Sequence, residues 1–303
     1  MRFKKLDLNL LVALDHMIEL RSVSAAADKM FMSQSAMSNA LTRLREYFDD
    51  PLLVQVGRRM EVTPRAEAMR PAIRDILVRI EAAIASQPEF CPDQSTREFN
   101  ILLSDYSLRV LMPTVFRLLS EHNATIRLNM HAQTDLPHAL LERGEVDFLI
   151  TPDMFLSAEH PSTVLYEDEY VAVAWKDGKY GNITMDAEIY STAPHAVMVP
   201  PNAAKSVETE YLANSGIERN IDVRTFSFST LPHLITGTNR IATVHRRLAR
   251  LIAPQANLII HPIPIDLPKL RQGLQSHAYR ESDPGITWMR NLIIQAAQEI
   301  QRH

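Results

Sequence analysis

Cysteine is almost absent: Cys91 is the only one in 303 residues. That excludes an intrachain disulfide and a cysteine-rich zinc site, and it fits a reducing cytoplasm, the expected location. Glycine is scarce as well, with eight in the chain. None of them builds a phosphate-cradling loop or the G-x-S-x-G turn that presents a nucleophile, and H-E-x-x-H is also missing. An enzyme is therefore not expected, nor a cofactor, nor a metal. Long apolar runs are lacking, since no stretch nears the ~20 residues of a membrane span. The opening MRFKKLDLNLLVALDHMIEL carries charge at its front, but Asp7, Asp15, His16 and Glu19 interrupt its apolar positions, so no signal peptide is expected.

A strong charge of one sign is lacking too. The net charge is −4, which argues against a protein that coats nucleic acid indiscriminately. The balance is uneven, however: residues 1–65 hold ten Lys/Arg against eight Asp/Glu, and the remainder carries the negative excess. Only the first part suits an approach to phosphate.

What is present divides into two classes of pattern. The first 86 residues read as helices with one extended interruption; residues 97–303 alternate short apolar runs with helical stretches. Leu8, Leu10, Leu11, Leu14, Met17 and Ile18 have helical spacing. A short second helix follows from Ser24 to Met30, and a third from Ser33 to Phe48. PLLVQVGRRMEVT, residues 51–63, sets β-type residues around Gly57 as a two-stranded wing would. Thr63 and Pro64 then open a helix expected to run to about Ser86, with Pro71 inside it. Met69, Ile73, Ile76, Ile80 and Ala83 repeat along it with the spacing of a coiled-coil seam, which suits packing on its own domain or pairing with a second chain. Residues 87–96 are the expected linker.

The third helix carries the most information. On a helical wheel Gln34, Ser35, Ser38, Asn39, Thr42, Arg45 and Glu46 fill one arc of about 140°, and Met37, Ala40, Leu41, Leu44 and Phe48 face away from it. Small residues Ser24 to Ala27 let the preceding helix approach closely, Phe31 and Met32 make a short join, and Ser33 is placed to cap the third helix. This is helix-turn-helix spacing, in which the second helix enters the major groove of DNA. Gln34 suits bidentate pairing with adenine; Arg43 and Arg45 suit guanine or phosphate; Ser33, Ser35 and Ser38 suit phosphate or either base. Asn39 and Thr42 complete the row, and Arg58 with Arg59 at the wing tip would touch backbone or minor groove. The plainer alternative is a surface helix meeting water, but such helices favour Glu and Lys, which are few here.

After the linker, Phe99 to Leu103, residues 126–131 and residues 146–151 read as strands, with helices from about Ser107 to Glu121 and Asp135 to Arg143 between them. Strand and helix alternation of this kind implies parallel pairing. Runs at 170–175, 196–199, 221–226, 240–244 and 258–265 continue it, and the last helix is expected from Pro284 to Gln301.

LDLNLLVALDHMIELRSVSAAADKMFMSQSAMSNALTRLREYFDDPLLVQVGRRMEVTPRAE and LERGEVDFLI resemble the LysR-type transcriptional regulators over nearly the whole chain. FCPDQSTREFNILLSDY and DPGITWMRNLI are similar to the NodD/NahR group of that family, whose members answer to flavonoids, salicylate or chlorinated phenols. Ser35 departs from the proline that many relatives carry at the start of the recognition helix. The resemblance implies an α/β protein: a winged helix-turn-helix domain (1–63), a dimerisation helix (64–86), and a two-subdomain effector domain like the periplasmic binding proteins. Subdomain I would hold 97–166 with 266–303, and subdomain II 167–265. It further implies a promoter-bound homotetramer that activates transcription with RNA polymerase and is controlled by an aromatic effector in the cleft.

The implied cleft lies at strand ends and helix starts, where free amides occur. Ser104, Asp105, Tyr106, Ser107, Thr151 and Pro152 come from the first half; His195, Phe226, Phe228, Ser229, Thr230, Thr243 and Arg247 come from the second. His195, Arg247 and the FSFSTLP segment match ligand-facing positions of the salicylate-responsive relatives. Phe226 and Phe228, as alternate strand residues, share one face and are more often core than ligand contacts. Asp105 suits a phenol hydroxyl and would repel a carboxylate, which favours a neutral or weakly acidic phenol, chlorinated phenols and hydroquinones included, over a benzoate.

Overall fold

The computed structural model describes residues 6–302 except 58, 86–88, 135, 201–205 and 215, and only the backbone of 81–85. By its internal contacts the chain forms two compact units, Met1–Ser86 with Glu142–Gly144, and Gln87–Leu141 with Glu145–His303.

In the first unit, helix α1 (Leu8–Leu20) starts where the Asp7 carboxylate accepts the Asn9 amide. Helix α2 (Val23–Lys29) starts at Ser22, and α3 (Gln34–Phe48) at Ser33, whose hydroxyl accepts the Ala36 amide at 3.2 Å. Each cap satisfies a helix-start amide that has no carbonyl partner. Strands β1 (Leu53–Val56) and β2 (Arg59–Val62) form the wing as an antiparallel hairpin. Gly57 turns it at φ +63°, where a Cβ would be strained. Helix α4 (Pro64–Ala85) opens on Thr63, which caps Ala66 and donates to Asp50 at 2.7 Å.

Leu14, Met17, Met37, Leu44, Leu52 and Leu53 form the centre of this unit's core, and Ala66 and Ile73 of α4 join it. The proposed pairing seam is therefore divided. Ile73 is buried in its own unit, with Met69 and Leu77 packed beside it, while Ile76 is exposed; the Ala83 side chain lies outside the described residues. Arg74 fixes the same helix to α1 through Asp15, with Nε 2.5 Å from the carboxylate.

The second unit contains two five-stranded sheets. Strand β3 (Glu98–Leu103) leads into α5 (Asp105–Val110) and α6 (Met112–Glu121), then β4 (Arg127–Ala132), α7 (Pro137–Glu142), β5 (Phe148–Pro152) and β6 (Ser162–Asp168). The single helix expected over 107–121 is two helices interrupted at Leu111, two residues before Pro113, which has no amide to continue the hydrogen-bond ladder. Glu169 alone separates β6 from β7 (Tyr170–Trp175), the first strand of the other sheet.

Helix α8 (Ala187–Thr192), β8 (Pro194–Met198), α9 (Val207–Asn214), β9 (Asn220–Thr225), α10 (Leu231–Ile235), β10 (Ile241–His245), α11 (Arg246–Ala256) and β11 (Leu258–Pro262) complete that sheet. The chain then returns as β12 (Leu270–Gln275) and ends in α12 (Pro284–Gln301). The strand orders are β4-β3-β5-β12-β6 and β11-β7-β10-β8-β9. β3 runs parallel to β4 and β5, and β8 parallel to β9 and β10, so those strands end on one edge of their sheets and present loops and helix starts there. Phe99, Phe148, Val171, Val173, Ala242, Val244, Leu248, Ile286 and Met289 belong to one continuous apolar core.

Candidate nucleic-acid face and ligand cleft

The third helix presents its polar row outward. Gln34, Ser35, Ser38, Asn39, Thr42 and Arg43 are exposed, and Met37, Ala40, Leu41 and Leu44 are buried beneath them. Ser33 divides its hydroxyl between the Ala36 amide and the Ser35 hydroxyl, 3.0 Å away. Thr42 donates to the Ser38 carbonyl one turn earlier at 3.1 Å. Arg59 is exposed on the wing; Arg58 lies outside the described residues.

Arg45 departs from the expectation. Its Nε donates to the Pro51 carbonyl at 2.8 Å and its Nη2 to the Leu53 carbonyl at 2.7 Å. The guanidinium thus ties the recognition helix to the strand that enters the wing, a positioning role in place of a free base or phosphate contact.

In the second unit, the expected ligand residues separate into a group that converges and a group that does not. Asp105, at the first position of α5, accepts at Oδ2 from the Ser227 hydroxyl (2.6 Å), the Ser229 amide (2.9 Å) and the Ser229 hydroxyl (3.0 Å). This joins the end of β3 in one sheet to the segment after β9 in the other. Ser227, which sequence reasoning missed, also lies 2.8 Å from the Thr230 hydroxyl. The carboxylate expected to meet a phenol is therefore already satisfied by serines.

Beside that bridge, His245 ends β10 and is almost fully buried, at 3 % exposure. Its ring centroid lies 4.2 Å from Tyr106, 4.7 Å from Tyr170 and 4.8 Å from Phe228, and its Nδ1 has no hydrogen-bond partner among the described residues. Burial pushes its pKa down to about 3, against a weaker opposing pull from Asp105, so the imidazole is neutral. His245 lies between Thr243 and Arg247, both expected at the cleft, but neither it nor Tyr170 is distinguishable in the sequence from its neighbours. Tyr106 connects this ring cluster to the join between the sheets, where its hydroxyl donates to Asp168 at 2.6 Å. Asp168 also accepts the Glu169 and Arg247 amides. Burial raises its carboxyl pKa, and the Tyr106 bond opposes that rise.

The remaining expected residues are engaged elsewhere. Ser104 caps α5 at the Ser107 amide, and Ser107 is buried, where it accepts from Gln272 at 2.9 Å. Thr151 is buried and accepts from Gln133, and Pro152 is half-buried at the end of β5. His195 is fully buried, bonded to the Tyr190 carbonyl, with its pKa lowered by burial to about 4; it is neither a surface nor a cleft residue. Thr243 pairs with the Tyr190 hydroxyl at 2.7 Å. Phe226 is 83 % exposed, so it belongs to neither the core nor an aromatic wall, whereas Phe228 is buried beside His245. The Arg247 guanidinium bonds the Ile300 carbonyl and lies over the Tyr166 ring, which directs it toward α12.

Among the described residues, Asp15, His16 and Glu19 bring possible ligand atoms within 4.8 Å of one another, but the Arg74 guanidinium already contacts both carboxylates. No helix of the described residues is long and apolar enough to cross a membrane.

Residues 8–67 match the bacterial regulatory helix-turn-helix protein, lysR family, and residues 92–298 match the LysR substrate binding domain. Nodulation protein D 3 of Rhizobium leguminosarum bv. phaseoli is 39 % identical over 99 % of this chain and 100 % of its own length. Nodulation protein D 1 of Mesorhizobium japonicum is 36 % identical over 99 % and 96 %. Among solved structures, a probable transcriptional regulator from Pseudomonas aeruginosa superposes with a TM-score of 0.65 at 31 % identity, covering 96 % of this chain and 97 % of that one.

Proposed function

The chain belongs to the LysR family of bacterial transcriptional regulators, and from that premise we propose that it answers to a polyphenolic aromatic of the flavonoid class held against His245. The observation that carries this reading is the buried, neutral imidazole with an unpartnered Nδ1 inside three aromatic rings. A buried polar atom without a partner is uncommon and calls for one. A phenolic hydroxyl supplies it, and the adjacent rings offer stacking surface for the rest of an aromatic molecule. The whole-length likeness to nodulation proteins D favours the flavonoid class within the aromatic-responsive group. Chlorinated phenols and hydroquinones, favoured through a free Asp105, lose that support because Asp105 is occupied by Ser227 and Ser229.

The DNA contacts in this reading come from Ser33, Gln34, Ser35, Ser38, Asn39, Thr42 and Arg43, with Arg59 on the wing. Two chains pair through α4. Its 22 residues span about 33 Å, close to the ~34 Å between half-sites one turn apart. Dimers associate to a tetramer that engages RNA polymerase and activates transcription. The ligand acts by preferring one arrangement of the two sheets, because equal affinity for both would shift nothing.

Thermal unfolding of the purified protein against flavones, salicylates and chlorinated phenols tests the proposal, since a ligand of the native state raises the midpoint. A rise with flavones that disappears in His245→Phe is expected. A rise with chlorinated phenols alone, or one that survives the substitution, would refute it.

A further inference from the structure

Phe31 is 99 % exposed, the most exposed large apolar side chain among the described residues. It lies in the turn between α2 and α3 at φ +54°, a left-handed conformation that residues with a branched or bulky side chain avoid. The turn itself is well held, by the Phe31 amide on the Asp28 carbonyl and the Met32 amide on the Ala27 carbonyl, both backbone bonds that any residue could make. Glycine or asparagine would fit this backbone with less strain. Nothing among the described residues of the unit therefore explains an aromatic ring here: at 99 % exposure it has almost no packing to lose, and it occupies a position that disfavours it. Its neighbours in sequence are Met32, also exposed, and Ser33, Gln34 and Ser35, the start of the outward polar row. From Ser33 to Arg45 that helix carries no carboxylate.

We propose that Phe31 is a specificity-determining residue that packs on a thymine methyl group at the edge of the groove entered by α3. The inference rests on the DNA-facing reading of α3 given above and adds to it an apolar contact among hydrogen-bonding ones. Phenylalanine against the thymine C5 methyl is one of the few apolar ways a base pair is read in the major groove. The position, immediately before the N-terminus of the helix that meets base edges, places the ring beside that groove. A ring that tolerates strain and full exposure in the free protein is covered in the complex.

The test uses the full chain and a duplex enriched by it from randomised DNA. Each thymine in the enriched site is replaced singly by deoxyuridine, which removes the methyl group and nothing else. For the wild type, one position per half-site is expected to lose about fourfold in affinity, the equivalent of one buried methyl group at ~0.8 kcal/mol. For Phe31→Ala, the same replacement is expected to have no effect, while Phe31→Leu keeps part of it. Phe31→Ala and Phe31→Gly should melt no lower than the wild type. An equal deoxyuridine penalty in wild type and Phe31→Ala would overturn the inference. So would a lowered midpoint, which makes the ring structural, or a changed oligomeric mass, which gives it to a second copy. If the wild type enriches no duplex at all, the DNA-facing reading falls, and this inference with it.

Discussion

Replacing His245 by phenylalanine should make the second unit less sensitive to acid, by an amount that follows from the burial of the imidazole. An exposed histidine in the unfolded chain titrates near 6.5, whereas burial holds the folded group at about 3. The folded pKa is the depressed one, so the unfolded chain takes up the proton first as pH falls. Stability from the neutral ring is complete above the unfolded value and is lost progressively as pH drops from about 6.5 toward 3. At about pH 5 the unfolded histidine is almost fully protonated and the folded one is not, which costs about 2 kcal/mol relative to about pH 7.5. His195, held at about 4 by burial, contributes a similar loss. Urea unfolding followed by tryptophan fluorescence isolates the effect, because both tryptophans, Trp175 and Trp288, lie in the second unit. His245→Phe should lose about 2 kcal/mol less than the wild type between those two pH values. Equal losses would mean that His245 is already protonated or already solvated in the folded protein, and the neutral acceptor on which the ligand proposal depends would not exist.

Other residues make separate claims. Asp105→Ala removes three bonds to one half-exposed carboxylate, and about 2 kcal/mol of bridge energy should go with them, roughly a thirtyfold change in the balance between sheet arrangements. Faster hydrogen exchange over residues 227–230 and a displaced ligand dose response are expected; unchanged values would remove the bridge from the mechanism. Arg45→Ala should lower the stability of the first unit by about 1–2 kcal/mol through loss of its bonds to the Pro51 and Leu53 carbonyls, and weaken DNA binding without altering base preference. A changed base preference with unaltered melting would restore Arg45 to the base-reading set. Gln34→Ala should relax preference at one base pair by about 1–3 kcal/mol and leave the salt dependence unchanged, whereas Arg43→Ala should reduce the salt slope by about one phosphate contact. Competition binding across duplexes and salt concentrations separates the two, and identical behaviour of both variants would count against the assigned roles.

The division between what was legible in the sequence and what was not follows from the range of the interactions. The α3 face was visible because its polar and apolar residues alternate within one helix, and helical periodicity alone sorts them. That periodicity shows the direction of a side chain but not its reach, so Arg45 was placed on the polar face while its guanidinium turns back to carbonyls six and eight residues later. Strand β12 was not recognised. Its LRQGLQ pattern has two glutamines and a glycine where an apolar face is expected, yet Gln272 and Gln275 are buried because Ser107, Ser157 and His160 satisfy their amides. The Asp105 bridge was not recoverable either: its partners lie 122 and 124 residues away, and a carboxylate beside a serine pair looks the same in sequence whether or not they meet.

That long-range wiring decides how a ligand at His245 could alter the whole unit. Tyr106 touches the His245 ring and holds Asp168, the last residue of β6. Tyr170, the first residue of β7, touches the same imidazole from the far side of the one-residue join at Glu169. Under the proposed function, an aromatic molecule that displaces or orders these rings would act on the strand entering the join and on the strand leaving it. Asp168 strengthens the coupling, because its carboxylate also accepts the amides of Glu169 and Arg247, so the join and the start of α11 share one buried group. The Asp105 bridge also joins the two sheets, and its partners Ser227 and Ser229 flank Phe228 of the ring cluster in sequence. In the proposed mechanism a ligand at His245 shifts the balance between sheet arrangements only if it contacts Tyr106 and Tyr170 unequally in them.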